Sequence, residues 1–481
     1  MRTRRLTGRI VRLGTVSISV LTVAALTAGP APADPAPPSI QPAQIVPLPP
    51  ELDPSFYNPP AGVVAAAAPG EIIAARQVNV ANLGLIPLNV DAWQVSYRSN
   101  NSRDEAIAAV ATLLKPRGVA PAPRKLLSVQ IAEDSTQGYC SPSYALQQFS
   151  VAPFVGQIVA PAEFVMAQAA LQKGDAVVIP DHQGPHSAYA AGPLGGRITL
   201  DGIRAATSFA PLGVGAGAPV ALYGYSGGSM PTMHAAELRK TYAPELNIVA
   251  AASGGTGADL GAALLMANNQ ATSGLVLGAV LGLAREYPDF NALLDQRLNP
   301  LGQLLRTVKA PFCVQYQTAL LPFLNITGMI NSPDPLREPA VQAMLEDTRL
   351  GKSLPDMPVF MWHSKWDEIL PLGSADRLVD TYCQDPAAQV TYTRDWASEH
   401  IVAEVTGGPA ALMWLFDRLN GVAAQPGCST IDSPSMLGTP GELQTLTETL
   451  GETLASFFGK PIGARAVTRA TFGWRTRVPL R

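Results

Sequence analysis

The sequence predicts an α/β fold built on a mostly parallel, doubly wound sheet with an inserted helical cap. Three observations carry that expectation. Short apolar runs alternate with helix-period segments from Gly174 onward, a glycine-flanked serine stands between one such run and the segment after it, and the alternation stops between Asp259 and Pro355. Strands that alternate with helices at this spacing pair in parallel, because each crossover helix returns the chain to the same edge.

The elements follow in order. Twelve prolines fall between Pro30 and Pro60. Proline locks φ and lacks an N–H, so residues 34–69 read as an extended leader, with folded structure beginning near Gly70. Residues 71–80, 93–97 and 125–131 read as strands and 103–114 as a helix. Residues 174–180 form a short apolar run suited to a buried strand, followed by a helix over 199–209. The next strand is 219–223 and the next helix 229–242; 246–252, 358–363 and 389–393 extend the strand series, and a helix over 409–419 closes it. Between them, 260–266, 275–284, 290–298 and 341–350 have helix period. An insertion of that size without a strand signal reads as a cap on the core. The alternatives are a separate helical domain or a membrane hairpin, but Asn268, Asn269 and Gln270 break the apolar stretch before either half could span a bilayer. The expected plan is a core of 70–258 and 356–450, a cap of 259–355 and a basic tail of 451–481 with no assigned role.

Composition narrows the function. With 34 Lys and Arg against 37 Asp and Glu, the net charge is −3, which leaves no basic surplus for nucleic acid. Five arginines precede an uncharged run of 16 residues from Leu13 to Ala28, and Ala31-Pro32-Ala33 follows in the small-x-small form of a signal-peptidase site. The run is short for a membrane span, so 1–33 reads as an export signal and the mature chain as secreted or held at the cell envelope. Four cysteines in an exported chain favour two disulfides. Cys383 with Cys428, and Cys140 with Cys313, is the expected pairing, because the first would tie down the loop that carries the histidine argued for next.

The chemistry rests on Gly224-Tyr225-Ser226-Gly227-Gly228. A G-x-S-x-G between strand and helix makes a sharp turn whose apex leaves no room for neighbouring β-carbons and pushes the serine hydroxyl toward substrate. Serine needs a base to take its proton. Of five histidines, His363 and His400 are the two far downstream of Ser226, as the Ser, acid, His order of α/β-hydrolases requires. His363 ends an apolar strand, where a buried structural histidine is the commoner case; His400 sits in a polar segment before the last helix and is the expected base. Asp367, in the loop after the strand 358–363, is the expected acid, with Glu368, Asp356 and Asp395 as the other carboxylates nearby. The backbone N–H of Gly227 should serve a developing oxyanion. Asp134, in the loop after the strand 125–131, is placed for the second donor, with a turn or helix cap as the other reading.

Several blocks together, Glu133-Asp134-Ser135, Cys140 to Tyr144, Asp181-His182-Gln183-Gly184, Leu200 to Ala205, Gly224 to Gly228, Tyr242 to Asn247 and Asp367 to Pro371, resemble the secretory lipase family of the α/β-hydrolase superfamily. The resemblance covers roughly Phe56 to Asn420. It implies a lipase or esterase with a helical cap, with Ser226, Asp367 and His400 at the triad positions and Asp134 and Gly227 at the oxyanion positions. An ionised aspartate cannot donate a hydrogen bond, so Asp134 would be protonated or act through its N–H. The proline-rich leader and the tail after Gly451, with its accumulating arginines, depart from the family pattern.

The expected activity is hydrolysis of carboxylic esters, most specifically triacylglycerol, through an acyl-enzyme and with no metal or organic cofactor. The partners are a lipid or ester substrate and, through the cap, a lipid surface. An acyltransferase, a short-chain esterase or a peptidase on the same scaffold is the alternative, and a non-catalytic surface protein a more distant one. His182 and His186 are candidates for lining the cleft, and Asn325-Ile326-Thr327 matches the N-glycosylation pattern.

Overall fold

The computed structural model of the protein describes residues 39–118, 120, 123–308 and 312–463. The expected export signal and most of the basic tail lie outside the described residues. The strands are β1 (Ile40–Gln41), β2 (Ile72–Gln77), β3 (Ala81–Asn82), β4 (Ile86–Pro87), β5 (Val90–Asn100), β6 (Ala106–Pro116), β7 (Leu126–Gln130), β8 (Ala176–Pro180), β9 (Val220–Tyr225), β10 (Ile248–Gly254), β11 (Val359–Ser364), β12 (Gln389–Asp395) and β13 (Gly427–Ser433). Eleven of them form one sheet in the order β1-β2-β5-β6-β8-β7-β9-β10-β11-β12-β13, while β3 and β4 pair with each other. From β8 to β13 every neighbouring pair is parallel; β2, β5 and β6 make an antiparallel flank that joins at β8.

The parallel strands read as continuous apolar runs because both sheet faces are covered. Val220 and Leu222 of β9 enter one core with Val359 and Met361 of β11, whereas Ala221, Tyr223 and Tyr225 enter the other with Phe360 and Trp362. That is the two-residue period of a strand, buried on each side. Trp362 is the largest fully buried side chain among the described residues. Its ring meets those of Tyr223 and Tyr225 at centroid distances of 5.9 and 5.6 Å, and its Nε1–H donates to the Ala403 carbonyl at 3.0 Å. Gly254 and Gly407 make room for it: a Cβ at either would overlap the indole.

Several sequence expectations are corrected. Residues 103–114 are not a helix but the turn and most of β6, paired with β5 along eleven residues from Val90↔Pro116 to Asn100↔Ala106. Alanine-rich composition favours a helix, yet pairing with β5 and β8 and burial on both faces override the preference. The turn is set by Asn101, whose Oδ1 accepts from the N–H groups of Arg103 and Glu105 at 2.9 Å each. The leader is not simply extended: Pro54–Tyr57 and Ala61–Ala66 are short helices that bury Phe56, Tyr57 and Val64. The final core helix begins at His400, runs to Leu419 and contains Pro409. The helix expected over 199–209 spans Gly192–Ser208. Helices Val159–Lys173 and Leu372–Tyr382 and the exposed edge strand β13 had no clear sequence signal.

Between β10 and β11 the described residues form helices Leu260–Ala267, Ser273–Glu286, Pro288–Arg297, Pro300–Val308, Val314–Leu320 and Pro339–Thr348. The disulfides are Cys140–Cys313, which joins the loop after β7 to this helical region, and Cys383–Cys428, which brackets His400. The helix Glu442–Phe457 packs on Val159–Lys173 and continues past the expected core limit at 450.

Candidate active site

Strand β9 ends at Tyr225, and Ser226 opens a single turn of 3-10 helix that leads into the helix Ser229–Tyr242. Ser226 has φ of 49°, the left-handed region that a serine enters only when its surroundings compel it. The neighbours explain why this turn needs glycine. A Cβ on Gly224 would overlap the Gly228 carbonyl and the Thr232 hydroxyl, and one on Gly228 would overlap the Gln130 carbonyl at the end of β7.

Asp367 and His400 come from the loops after β11 and β12. The Asp367 carboxylate is held by the N–H groups of Ile369 and Leu370, which donate to Oδ1 at 2.9 and 2.7 Å. Its Oδ2 lies 2.6 Å from His400 Nδ1, and His400 Nε2 lies 2.8 Å from Ser226 Oγ. Three side chains separated by 33 and 174 positions in the chain thus form one hydrogen-bonded line. His400 is the first residue of its helix, capped by Glu399, whose side chain accepts from the N–H groups of Ile401 and Val402. The Tyr225 ring lies 5.3 Å from the imidazole, and its hydroxyl donates to the His400 carbonyl at 2.5 Å.

Electrostatics follow from burial and pairing. Burial works against a charged His400, but the hydrogen bond and negative charge of Asp367 outweigh it and raise the imidazole above its ordinary value. Burial likewise works to raise Asp367, and the hydrogen bond and charge of His400 overcome it, so the carboxyl stays below its ordinary range.

Asp134 follows β7 with φ of 44°, and its Oδ1 lies directly against Gly227, where any Cβ would overlap it. Gly227 is the second residue of its 3-10 turn, where backbone N–H groups lack partners inside the helix. Gln183 is satisfied with its amide oxygen accepting the Asp134 N–H at 3.0 Å and its nitrogen donating to the Ser135 carbonyl at 2.6 Å. The Asp134 backbone is thereby engaged, which leaves its side chain to face the site. Burial pushes the Asp134 carboxyl up to about 7, opposed by the charge of His400 and by a hydrogen bond from Tyr189. Near neutral pH the protonated form, a hydrogen-bond donor, is therefore accessible.

Beyond Ser226 opens a cavity lined by Tyr189, Met230, Leu275, Leu283, Phe290, Ile326, Met344 and other apolar residues, mostly from the helical insertion. Its wall suits an acyl chain, and Ser226 and Gly227 stand at its polar end. His182 does not line it: its Nε2 lies 2.8 Å from the Ile131 carbonyl, and burial pushes the imidazole down to about 4. His186 is exposed, and its carbonyl accepts from Arg285 at 2.8 Å. Asn325 is exposed in the insertion, with its Oδ1 accepting from the Gly328 N–H at 3.0 Å. Sequence reasoning missed Gln183, Tyr189 and Glu404. Gln183 sits within the Asp-His-Gln-Gly block, but nothing in the sequence ties it to Asp134. Glu404 is half-buried one turn after His400, and desolvation pushes its carboxyl up to about 7.

The comparisons agree with this architecture. The model of the secretory lipase family matches residues 151–427. Lipase A of Arthroderma benhamiae is 35% identical over 434 residues, covering 89% of this chain and 92% of that protein. A probable inactive lipase of Mycobacterium tuberculosis is 35% identical over 381 residues, covering 79% of this chain and 84% of that protein. Candida antarctica lipase A, in a crystal structure of its closed state, superposes with a TM-score of 0.77 at 31% identity, covering 86% of this chain and 99% of that one. The chain belongs to the secretory lipase family, carboxylic ester hydrolases on the α/β-hydrolase fold.

Proposed function

We propose that this protein hydrolyses esters of long apolar acyl chains, most specifically triacylglycerols, with Ser226 as nucleophile, His400 as general base and Asp367 as the acid that orients it. The observation that carries the reading is the line from Ser226 Oγ through His400 to Asp367, 2.8 and 2.6 Å in its two steps, at the polar end of an apolar cavity. His400 takes the Ser226 proton as Oγ attacks the ester carbonyl, and Asp367 stabilises the imidazolium. The oxyanion forms beside the Gly227 N–H and the protonated Asp134, donors worth roughly 3–4 kcal/mol each by mutational precedent. The imidazolium protonates the leaving alcohol. Water, activated by the same imidazole, then cleaves the acyl-enzyme and regenerates the serine.

Residues 1–33 are read as the segment that directs export, in keeping with two disulfides, which an oxidising compartment favours. One family relative is described as probably inactive, so membership alone does not supply activity and the three side chains must be tested here. Ser226→Ala should lower the hydrolysis of nitrophenyl esters by about a thousandfold or more; an unchanged rate would refute the mechanism. A rate series from acetyl to oleoyl esters, above and below micelle formation, separates substrates. A jump on aggregated long chains supports the lipase, whereas fast short chains without a jump indicate a short-chain esterase.

A further inference from the structure

Stretches 77–90, 135–162 and 312–333 contain no Asp, Glu, Lys or Arg, in a chain that is 15% charged. The structure brings them together on one surface. The Phe149 N–H donates to the Gly84 carbonyl at 2.7 Å, the Cys313 N–H to the Val155 carbonyl at 3.0 Å and the Gln315 N–H to the Gly156 carbonyl at 3.2 Å. The Tyr316 ring packs against Gly156, and the Cys140–Cys313 disulfide closes the junction. From this surface Leu83, Phe149, Phe154, Tyr316, Leu320 and Phe323 stand into solvent, between 41% and 74% exposed.

Three of these side chains are costly twice over. Leu83, Phe149 and Phe323 have φ of 53°, 69° and 60°, the left-handed region that glycine enters freely and bulky residues rarely do. Backbone strain and apolar exposure each mark function in a folded protein, and here they coincide at loop tips. The surface also runs into the cavity. The Phe323 N–H donates to the Gln270 carbonyl at 2.8 Å, and Ile326 and Ile330, just beyond Phe323, line the cavity wall.

We propose that this face seats the protein on a neutral lipid surface, the aggregated ester itself, an inference that rests on the hydrolase reading above. Stretches that carry no cation of their own do not select anionic headgroups, and aromatic and branched apolar side chains partition into the headgroup boundary. Its continuity with the cavity favours lipid over a protein partner, because Ile326 and Ile330, which follow Phe323 in the chain, line the apolar cavity that an acyl chain would enter. The loops around Leu83 and Phe149 belong to the core, so the docking face extends past the helical insertion.

The test is co-flotation of the full chain with triolein droplets coated in phosphatidylcholine, in a Ser226→Ala background so that binding is read without turnover. The variant combines Phe149→Asn, Phe154→Ser and Phe323→Asn; asparagine tolerates the left-handed region, so folding is preserved. Partition should fall about tenfold or more, while the same three substitutions with Ser226 intact leave kcat/KM on dissolved nitrophenyl butyrate within about twofold. Partition of the parent should persist in about 0.5 M NaCl. Undiminished partition of the variant would overturn the proposal. So would salt-sensitive parent binding confined to phosphatidylserine vesicles, or a parent dimer in sedimentation that the variant dissociates. If Ser226→Ala still hydrolysed esters, the nucleophile assignment would fall while the partition result stood.

Discussion

His363 Nε2 lies 3.3 Å from the same Asp367 oxygen that receives His400 at 2.6 Å. The acid of the proposed triad therefore meets two imidazoles. Burial pushes His363 below its ordinary value, which favours the neutral imidazole, and its Nε2 also faces the Leu370 carbonyl at 3.0 Å. His363→Phe fills similar space without the donor. It should lower kcat/KM by about tenfold, near the net worth of one hydrogen bond to a charged group. Full activity in that variant would make His363 a packing residue only.

The raised His400 predicts the acid side of the pH profile. A general base works when neutral, so kcat/KM should rise with pH as His400 loses its proton, with an inflection above 6.5. Asp367→Asn removes the charge that raises it: the inflection should move down, and kcat should fall by about 10⁴. A parent inflection at or below the ordinary histidine value would contradict the pairing.

Asp134 predicts the alkaline side. With its carboxyl pushed up to about 7, rising pH removes the donor and sets a negative charge against the oxyanion. Activity should decline as that carboxyl ionises. Asp134→Asn keeps a donor at every pH and should flatten the decline; Asp134→Leu should cost about 10²–10³ in kcat. An alkaline limb unchanged by the Asn substitution would assign it elsewhere.

Cys383–Cys428 closes a loop of 45 positions around His400. Replacing both with serine should lower unfolding stability by about 4 kcal/mol on the chain-entropy account. The measurement is the urea unfolding free energy extrapolated to water with the slope fitted for each protein, since the unlinked chain unfolds to a larger state. Activity of the folded fraction should survive, because neither sulfur enters the proposed proton path.

Much of this molecule is legible along the chain where the physics is local. Gly224 and Gly228 announce the turn at Ser226 because steric exclusion acts within five residues. The fixed order of the triad points to the two histidines far downstream of Ser226, His363 and His400, and an even cysteine count points to two disulfides. The parallel strands are legible too, since burial on both faces forces uninterrupted apolar runs such as Val220 to Tyr223. The leader folds into short helices rather than staying extended because proline density reports on backbone freedom and is silent about what Phe56 and Tyr57 find to pack against.

The rest depends on neighbours that residue order does not name. Ala106–Pro116 is a strand because β5 and β8 offer hydrogen bonds on both sides, which outweighs a helical preference worth tenths of a kcal/mol per residue. Asp134 becomes a donor rather than an anion because burial desolvates it, and burial is a property of the assembled site. His363 reaches Asp367, and three uncharged stretches become one face, through contacts between segments far apart in the chain. Local stereochemistry is written in sequence; desolvation and long-range pairing exist only once the chain has closed on itself.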